Sequence, residues 1–393
     1  MGFTCCMALF FALVCGSTFL AVVYAYAGFP VLLKVISPSK SRAPQRNHAY
    51  KPPISILIPA YNEEKVIARK IDNCLALEYP RELLEIMVCS DCSDDRTVEI
   101  VQNNYGDGVS LFDYRERSGK TGVVNKSLPR AQGEIVVLTD ANTMFEPDAV
   151  AKMISLYSSG NVGAVLGQVR LFTPGDSVGV DKEVAYRDFE ADLKFREGLF
   201  GAAVGAFGGF YSIRKKLFTP LPPNAYSNDD LLIPARILSQ GYRVVFDRAA
   251  ISREETGKSV SEEFGRRVRI GAGNFQSFFL LLHLLNPLKG GAWFFYVSHK
   301  VLRWYSPFLL LLMLISTVAA LSIPWFVYVL IAQGAFYAGA LAGYGASRMG
   351  KSVPVIGSIY HFVSMNIAIL FGFFRYLRGI KSAVWQSTQR AVV

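Results

Sequence analysis

At 393 residues with 51% hydrophobic side chains, the chain is too apolar for an ordinary soluble protein of its size, and its apolar residues gather at the two ends. A formal net charge of +10 suits nucleic acid, anionic lipid or an anionic substrate, but no basic stripe with interleaved aromatics stands out, which argues against nucleic acid. Basic residues sit instead beside the apolar segments, with Lys40, Arg42, Arg46 and Lys51 after the first and Arg375, Arg378 and Lys381 after the last, the positive-inside pattern of a membrane protein.

Residues 1–35, uncharged up to Lys34, are long enough to cross a bilayer as one helix. Their length, the lack of an initial positive cluster and the basic linker that follows argue against a cleaved signal peptide. Residues 36–53 form that linker, and its charge assigns it and the next domain to the cytoplasm. Over 54–270 strands and helices alternate: strand 54–58, helix 63–77, strand 84–89, helix 95–103, strand 109–114, helix 120–131 and strand 134–138. This order predicts an α/β domain on a mainly parallel, doubly wound sheet, a fold that binds ligands at the carboxyl ends of its strands. Residues 271–300 read as interfacial amphipathic helices, since the apolar run 275–285 is short, contains His283 and is closed by Pro287. Residues 301–393 read as membrane helices with a basic tail: spans at 307–323, extended back toward 301, at 325–344 and at 353–374, the last containing His361 and Asn366. Trp293, Trp304, Tyr305, Trp325 and Trp385 fit interfacial belts. Three spans after a cytoplasmic domain leave the basic C-terminus outside, whereas the charge rule wants it, Arg348 and Lys351 inside. One apolar segment is therefore interfacial or re-entrant, or the run from Phe275 crosses. The six cysteines show no metal-ligand spacing and read as reduced thiols.

Six polar constellations carry the candidate chemistry. Pro59-Ala60-Tyr61-Asn62-Glu63-Glu64 follows a strand and either packs a nucleobase or starts a helix with Asn62 as cap. Ser90-Asp91-Cys92-Ser93-Asp94-Asp95 also follows a strand. Asp91 is the candidate acceptor for a base or ribose, and Asp94 or Asp95 caps the next helix. Arg117-Ser118-Gly119-Lys120 offers close backbone approach and a cation near a helix start, suited to a diphosphate, or is a solvated basic turn; it lacks the glycine spacing of a P-loop. Asp140-Ala141-Asn142 can hold a hard divalent cation that also takes phosphate oxygens, or is a polar turn. Asn228-Asp229-Asp230 either caps a helix or supplies a general base with a raised pKa. Arg266-Arg267-Val268-Arg269 clamps a diphosphate or contacts anionic lipid.

The order of these pieces resembles glycosyltransferase family 2, the inverting GT-A enzymes that include cellulose, chitin and hyaluronan synthases and exopolysaccharide transferases. The resemblance runs over 53–276 and adds the stretches 205–210 and 241–246. It implies a Rossmann-like GT-A cytoplasmic domain with an α-helical transmembrane region, and inverting hexosyl transfer from a nucleotide sugar, usually UDP-linked. Ala60, Tyr61, Glu63 and Asp91 would hold the nucleoside and Lys120 the diphosphate side. Asp140 and Asn142 would bind Mg2+ or Mn2+, Asn142 replacing the second carboxylate of a D-x-D motif. Gly208 and Gly209 would border the acceptor, Arg266 and Arg269 the acceptor or diphosphate, and Asp230 would be the base with Asp229 beside it. The implied partners are the nucleotide-sugar donor, a glycan or lipid-linked acceptor and the bilayer, with self-association left open. Processive synthases carry Q-x-x-R-W where this chain has Arg266 and Ile270 around Arg269, so transfer of a single sugar to polyprenyl phosphate or another lipid stands as the alternative to polymer synthesis. A non-catalytic nucleotide-sugar-sensing transporter is the reading from outside the class.

Overall fold

The computed structural model describes residues 2–39, 43–172, 180–226, 228–255, 260–351 and 353–379. The predicted basic tail, with Lys381 and Trp385, and the linker residues Lys40 and Arg42 lie outside the described residues. The chain divides into two units, one of Met1–Leu32, Val260–Phe275 and Val297–Gly379, the other containing Leu33–Ser259 and Gln276–Tyr296.

The second unit is built on one sheet of strands β1 (Ile54–Ala60), β2 (Leu84–Asp91), β3 (Ser110–Tyr114), β4 (Ile135–Thr139), β5 (Thr143–Phe145), β6 (Val162–Phe172), β7 (Phe210–Arg214) and β8 (Arg243–Glu255), in the order β3-β2-β1-β4-β7-β6-β8-β5. β3, β2, β1 and β4 run parallel, as the strand–helix alternation predicts. β7 runs antiparallel to both β4 and β6, and β5 antiparallel to β8. Every residue of β1, β4 and β7 is buried, which explains the nearly continuous apolar runs of β1 and β4, since a central strand covered on both faces has no solvent side to alternate toward. Truncating a fully buried member such as Ile56 to alanine is expected to cost about 2–5 kcal/mol.

Two local departures from the predicted elements have clear causes. The helix expected from residue 63 begins at Ile67, because Asn62 adopts a positive φ of 54° and the chain spends 63–66 in a turn closed by Val66 N–H to the Glu63 carbonyl. The helix Gly119–Ser127 tightens into a 3₁₀ turn at Leu128–Arg130, where Pro129 has no N–H to continue the α ladder.

Among the described residues, four helices are long and apolar enough to cross a membrane: Cys6–Ile36, Gly291–Ala319, Phe326–Arg348 and Pro354–Leu377. Two expectations are corrected here. The run 275–285 is not a separate helix; it continues the helix Val260–Leu280 and ends in a 3₁₀ turn, Leu282–Leu285. The second apolar helix starts at Gly291 rather than near residue 301, passing through a π-helical stretch, Tyr296–Val301. His299, Lys300 and Arg303 lower the hydropathy of that segment and hide its helical continuity from a sequence reading. Polar side chains pair between the helices: Ser306 donates to Asn366, Tyr26 and Ser306 hydroxyls lie 3.0 Å apart, and the Gln333 amide donates to Thr317 Oγ1 at 2.6 Å. Asn366 is thus spent on helix packing, as small polar groups in apolar bundles commonly are.

Candidate active site

The register of the parallel strands collects the polar clusters. Ala60 pairs with Ser90, Asp91 with Tyr114, and Leu57 with Leu138, so the turns after β1, β2, β3 and β4 leave the same carboxyl edge. β7 enters from that edge because it runs antiparallel to β4, with Phe210 opposite Thr139. That pairing brings Gly208 and Gly209, immediately before β7, alongside Asp140, immediately after β4.

The first two turns are tied to each other. The Asn62 side chain and Asp94 exchange hydrogen bonds, with Asp94 N–H donating to Asn62 Oδ1 at 3.0 Å. Glu63 N–H donates to Thr97 Oγ1 at 2.8 Å and Glu64 N–H to Asp95 Oδ2 at 3.0 Å. Asp95 also accepts from Thr97 N–H at 2.9 Å, the Asx turn expected of this segment. Ala60 is fully buried at the end of β1. Tyr61 and Glu63 stay half-exposed on the rim, and the Arg117 guanidinium lies 3.1 Å from the centre of the Tyr61 ring.

Asp91 lies beneath the turn that follows β3. Its carboxylate is fully buried and accepts from Ser118 N–H at 2.7 Å, Gly119 N–H at 2.9 Å, Ser118 Oγ at 3.2 Å and Arg117 Nε at 3.2 Å. Those four bonds occupy both oxygens, so in this geometry Asp91 holds the turn that presents Lys120. Asp91→Asn is expected to lower stability by about 1.5–3 kcal/mol, since it weakens hydrogen bonds to a charged acceptor. Thermal unfolding of the full chain checks this.

Lys120 stands at the centre of the site. Its Nζ lies 2.8 Å from Asp140 Oδ1 and 3.5 Å from Asp229 Oδ2, and donates to the Gly208 carbonyl at 3.2 Å. Burial alone pushes its pKa down, but Asp140 and Asp229 outweigh that and hold the ammonium well above the ordinary lysine value. Asp229 and Asp230 open the helix Asp229–Ser239. Asp229 is buried, and its Oδ2 also accepts from the Tyr211 hydroxyl at 2.9 Å, so it is committed to the cluster rather than to helix capping. Asp230 keeps partial exposure. Burial and the neighbouring Asp229 push its carboxyl up to about 6, against the opposite pull of Lys120 and Lys194.

The loop before β7 is shaped around this carboxylate. Ala206 N–H donates to the Asp230 carbonyl at 2.8 Å, and buried Lys194 donates to the Gly205 carbonyl at 2.6 Å. Gly205 has φ +82°, a conformation L side chains rarely adopt. A Cβ on Gly208 would meet Asp230 Oδ2 at 3.4 Å, an ordinary van der Waals contact, so Gly208 lies directly against the carboxylate. Gly209 is set by packing: a Cβ would fall 2.4 Å from Thr143 Oγ1.

The donor set fits a hard cation bound together with a ligand. Asp140 is about one-third exposed (36%). The Asn142 amide nitrogen donates to Glu254 Oε1 at 3.4 Å, which directs its carbonyl oxygen away from that carboxylate. Among the described residues no three His, Cys, Asp or Glu side chains converge to cage an ion. One carboxylate and a carbonyl, completed by phosphate oxygens, is an arrangement in which Mg2+ and Mn2+ bind at phosphate sites. Arg266 and Arg269 lie half-buried on Val260–Leu280, within the first unit.

Four participants escaped the sequence reading: Tyr211, Lys194, Glu254 and Lys70. Tyr211 and Glu254 reach the site through strand pairing and leave no local signal. Lys70 did leave one, a cation inside the apolar stripe Ile67, Ile71 and Cys74.

Comparison with known proteins agrees with this construction. Residues 55–218 match the family model "Glycosyl transferase family 2". A poly-beta-1,6-N-acetyl-D-glucosamine synthase of Staphylococcus aureus is 25% identical over 230 residues, which cover 57% of this chain and 55% of the synthase. The synthase of the same name from Staphylococcus epidermidis is 28% identical over 165 residues, covering 42% and 39%. The chain thus matches about half the length of these relatives or less. Among solved structures, the mannosyltransferase PcManGT from Pyrobaculum calidifontis, in complex with GDP-Man and Mn2+, superposes with a TM-score of 0.66 at 21% identity, over 93% of this chain and 99% of that one. Residues 55–218 thus match glycosyl transferase family 2, and the sheet order and the superposition give the domain that contains them the GT-A fold.

Proposed function

We propose that this protein is a membrane glycosyltransferase that transfers a hexosyl unit, with inversion, from a nucleoside diphosphate sugar to a glycan or lipid-linked acceptor. The donor is UDP-linked, the catalytic domain is cytoplasmic, and the product belongs to an exopolysaccharide or cell-envelope glycan. The observation that carries this reading is the Lys120 ammonium between Asp140 on one side and Asp229 on the other, with Asp230 against Gly208. A cation beside a carboxylate at the strand edge suits a leaving diphosphate, and a carboxyl titrating near neutrality suits a base.

In this mechanism Asp230 takes the proton of the acceptor hydroxyl as that oxygen attacks the anomeric carbon from the face opposite the diphosphate. The bond from the anomeric carbon to the diphosphate oxygen breaks in the same displacement, and the configuration inverts. Lys120 faces the charge that develops on the departing diphosphate. Asp91 and Arg117 hold the turn that carries Lys120, and Tyr61 and Glu63 border the nucleoside. Asp140 and Asn142 would hold Mg2+ or Mn2+, which would supply charge neutralisation at the diphosphate.

The test is incubation of the purified full chain with labelled nucleotide sugars and lipid extract, followed by sizing of the product. A ladder supports polymer synthesis, and one added sugar supports the lipid-linked alternative, which Ile270 at the place of the processive tryptophan favours. Donor binding without any transfer would leave only the sensing reading standing.

A further inference from the structure

Lys70 is completely buried in the helix Ile67–Leu75, between apolar residues of its own inward face. Its Nζ donates to Thr139 Oγ1 at 3.0 Å and to the Thr143 carbonyl, and lies 3.6 Å from the centre of the Phe145 ring. Thr139 and Thr143 are the residues on either side of the Asp140-Ala141-Asn142 turn. The Thr139 hydroxyl passes the contact on, donating to the Asp140 carbonyl at 3.3 Å, and Thr143 N–H closes the turn onto the same carbonyl at 3.2 Å.

We propose that Lys70 is a positioning residue that staples this turn from beneath and so fixes Asp140 and Asn142 for the metal–diphosphate complex; the inference rests on the function proposed above. Burying a lone cation in a core is costly, and a stripe of Ile67, Ile71 and Cys74 would pack as well around an apolar side chain. An ammonium has three donors, and here they reach acceptors at both ends of one turn, which no apolar residue reproduces. Burial lowers the Lys70 pKa to about 8, while Asp140 across the turn acts in the opposite sense, so the ammonium persists at neutral pH. The same staple backs the second half of the site, because Thr143 supports Gly209, whose Cβ position is 2.4 Å from Thr143 Oγ1.

The test measures Mn2+ binding by electron paramagnetic resonance in the full chain, with saturating UDP or GDP, whichever wild type binds more tightly. Lys70→Met, Thr139→Val and Asp140→Asn are compared with wild type. Removing outer partners of metal ligands typically costs 10- to 100-fold in metal affinity, so Lys70→Met and Thr139→Val are expected to weaken Mn2+ binding about tenfold or more. The Mn2+ concentration giving half-maximal transfer rises in parallel, and the rate recovers at saturating Mn2+. A merely structural role would lower the active fraction without moving that concentration. Wild-type Mn2+ affinity in both variants, with loss in Asp140→Asn, overturns the inference and leaves the proposed function intact. Wild-type affinity in Asp140→Asn overturns the metal reading itself and Lys70 with it. If Lys70→Met does not fold, Thr139→Val decides, since it removes one hydroxyl at nearly constant volume.

Discussion

Asp230→Asn is expected to lower kcat by roughly 10²- to 10⁴-fold, the range a positioned general base supplies, with nucleotide-sugar binding close to wild type. The amide preserves the shape of the side chain and the Ala206 N–H bond to the Asp230 carbonyl, so the loop before β7 keeps its path while the proton acceptor is lost. Pre-steady-state transfer with a parallel binding titration separates the two effects, and an Asn variant that turns over at the wild-type rate removes Asp230 from the base role. The pH profile gives an independent check. A base must be deprotonated, and the Asp230 carboxyl is pushed up to about 6. The rate should therefore be level above about pH 6 and fall about tenfold per unit below it. Asp229→Asn removes a like charge that raises Asp230, so its acid limb should move to lower pH.

Lys120→Met is expected to lower transfer on the order of 10²- to 10³-fold, comparable to removing one preorganised donor from a developing negative charge. The effect should exceed that of a simple surface ion pair, because Lys120 serves two carboxylates at once. Its loss leaves Asp140, Asp229 and Asp230 facing one another without their shared cation. Asp230 loses a neighbour that lowers its pKa, so the acid limb of the pH profile should move upward, the reverse of Asp229→Asn. A Lys120→Met enzyme with an unshifted limb and near-wild-type rate would detach Lys120 from both carboxylates functionally. Comparing kcat and KM for the donor across pH 5–9 reads both parts of this prediction.

Much of the first half of the domain was legible from residue pattern. The turns after β1, β2, β3 and β4 each announced themselves as a polar cluster after an apolar run, and all four leave one sheet edge. Roles were less legible than positions. The sequence offered Asp91 as an acceptor at the sheet's edge, and only the fold shows the backbone of Ser118 and Gly119 donating to it. Lys70 passed unremarked although a lysine in an apolar helical stripe is itself a signal, since its cost requires partners. The helix from Gly291 was misplaced because hydropathy averages over His299, Lys300 and Arg303, while helical continuity depends on backbone hydrogen bonds that composition does not report.

By itself the amino-acid sequence determined the strand–helix alternation, a mainly parallel sheet and the apolar helices at both ends, because these follow from local periodicity and from the handedness of strand–helix–strand connections. Only the tertiary structure decided that β7 lies antiparallel against β4, that Tyr211 joins Lys120 on Asp229, and that Lys70 reaches both ends of the Asp140 turn. Those contacts join segments far apart in the chain. Their energies depend on the register of the whole sheet and on charges shared among several groups, neither of which any short stretch of sequence contains.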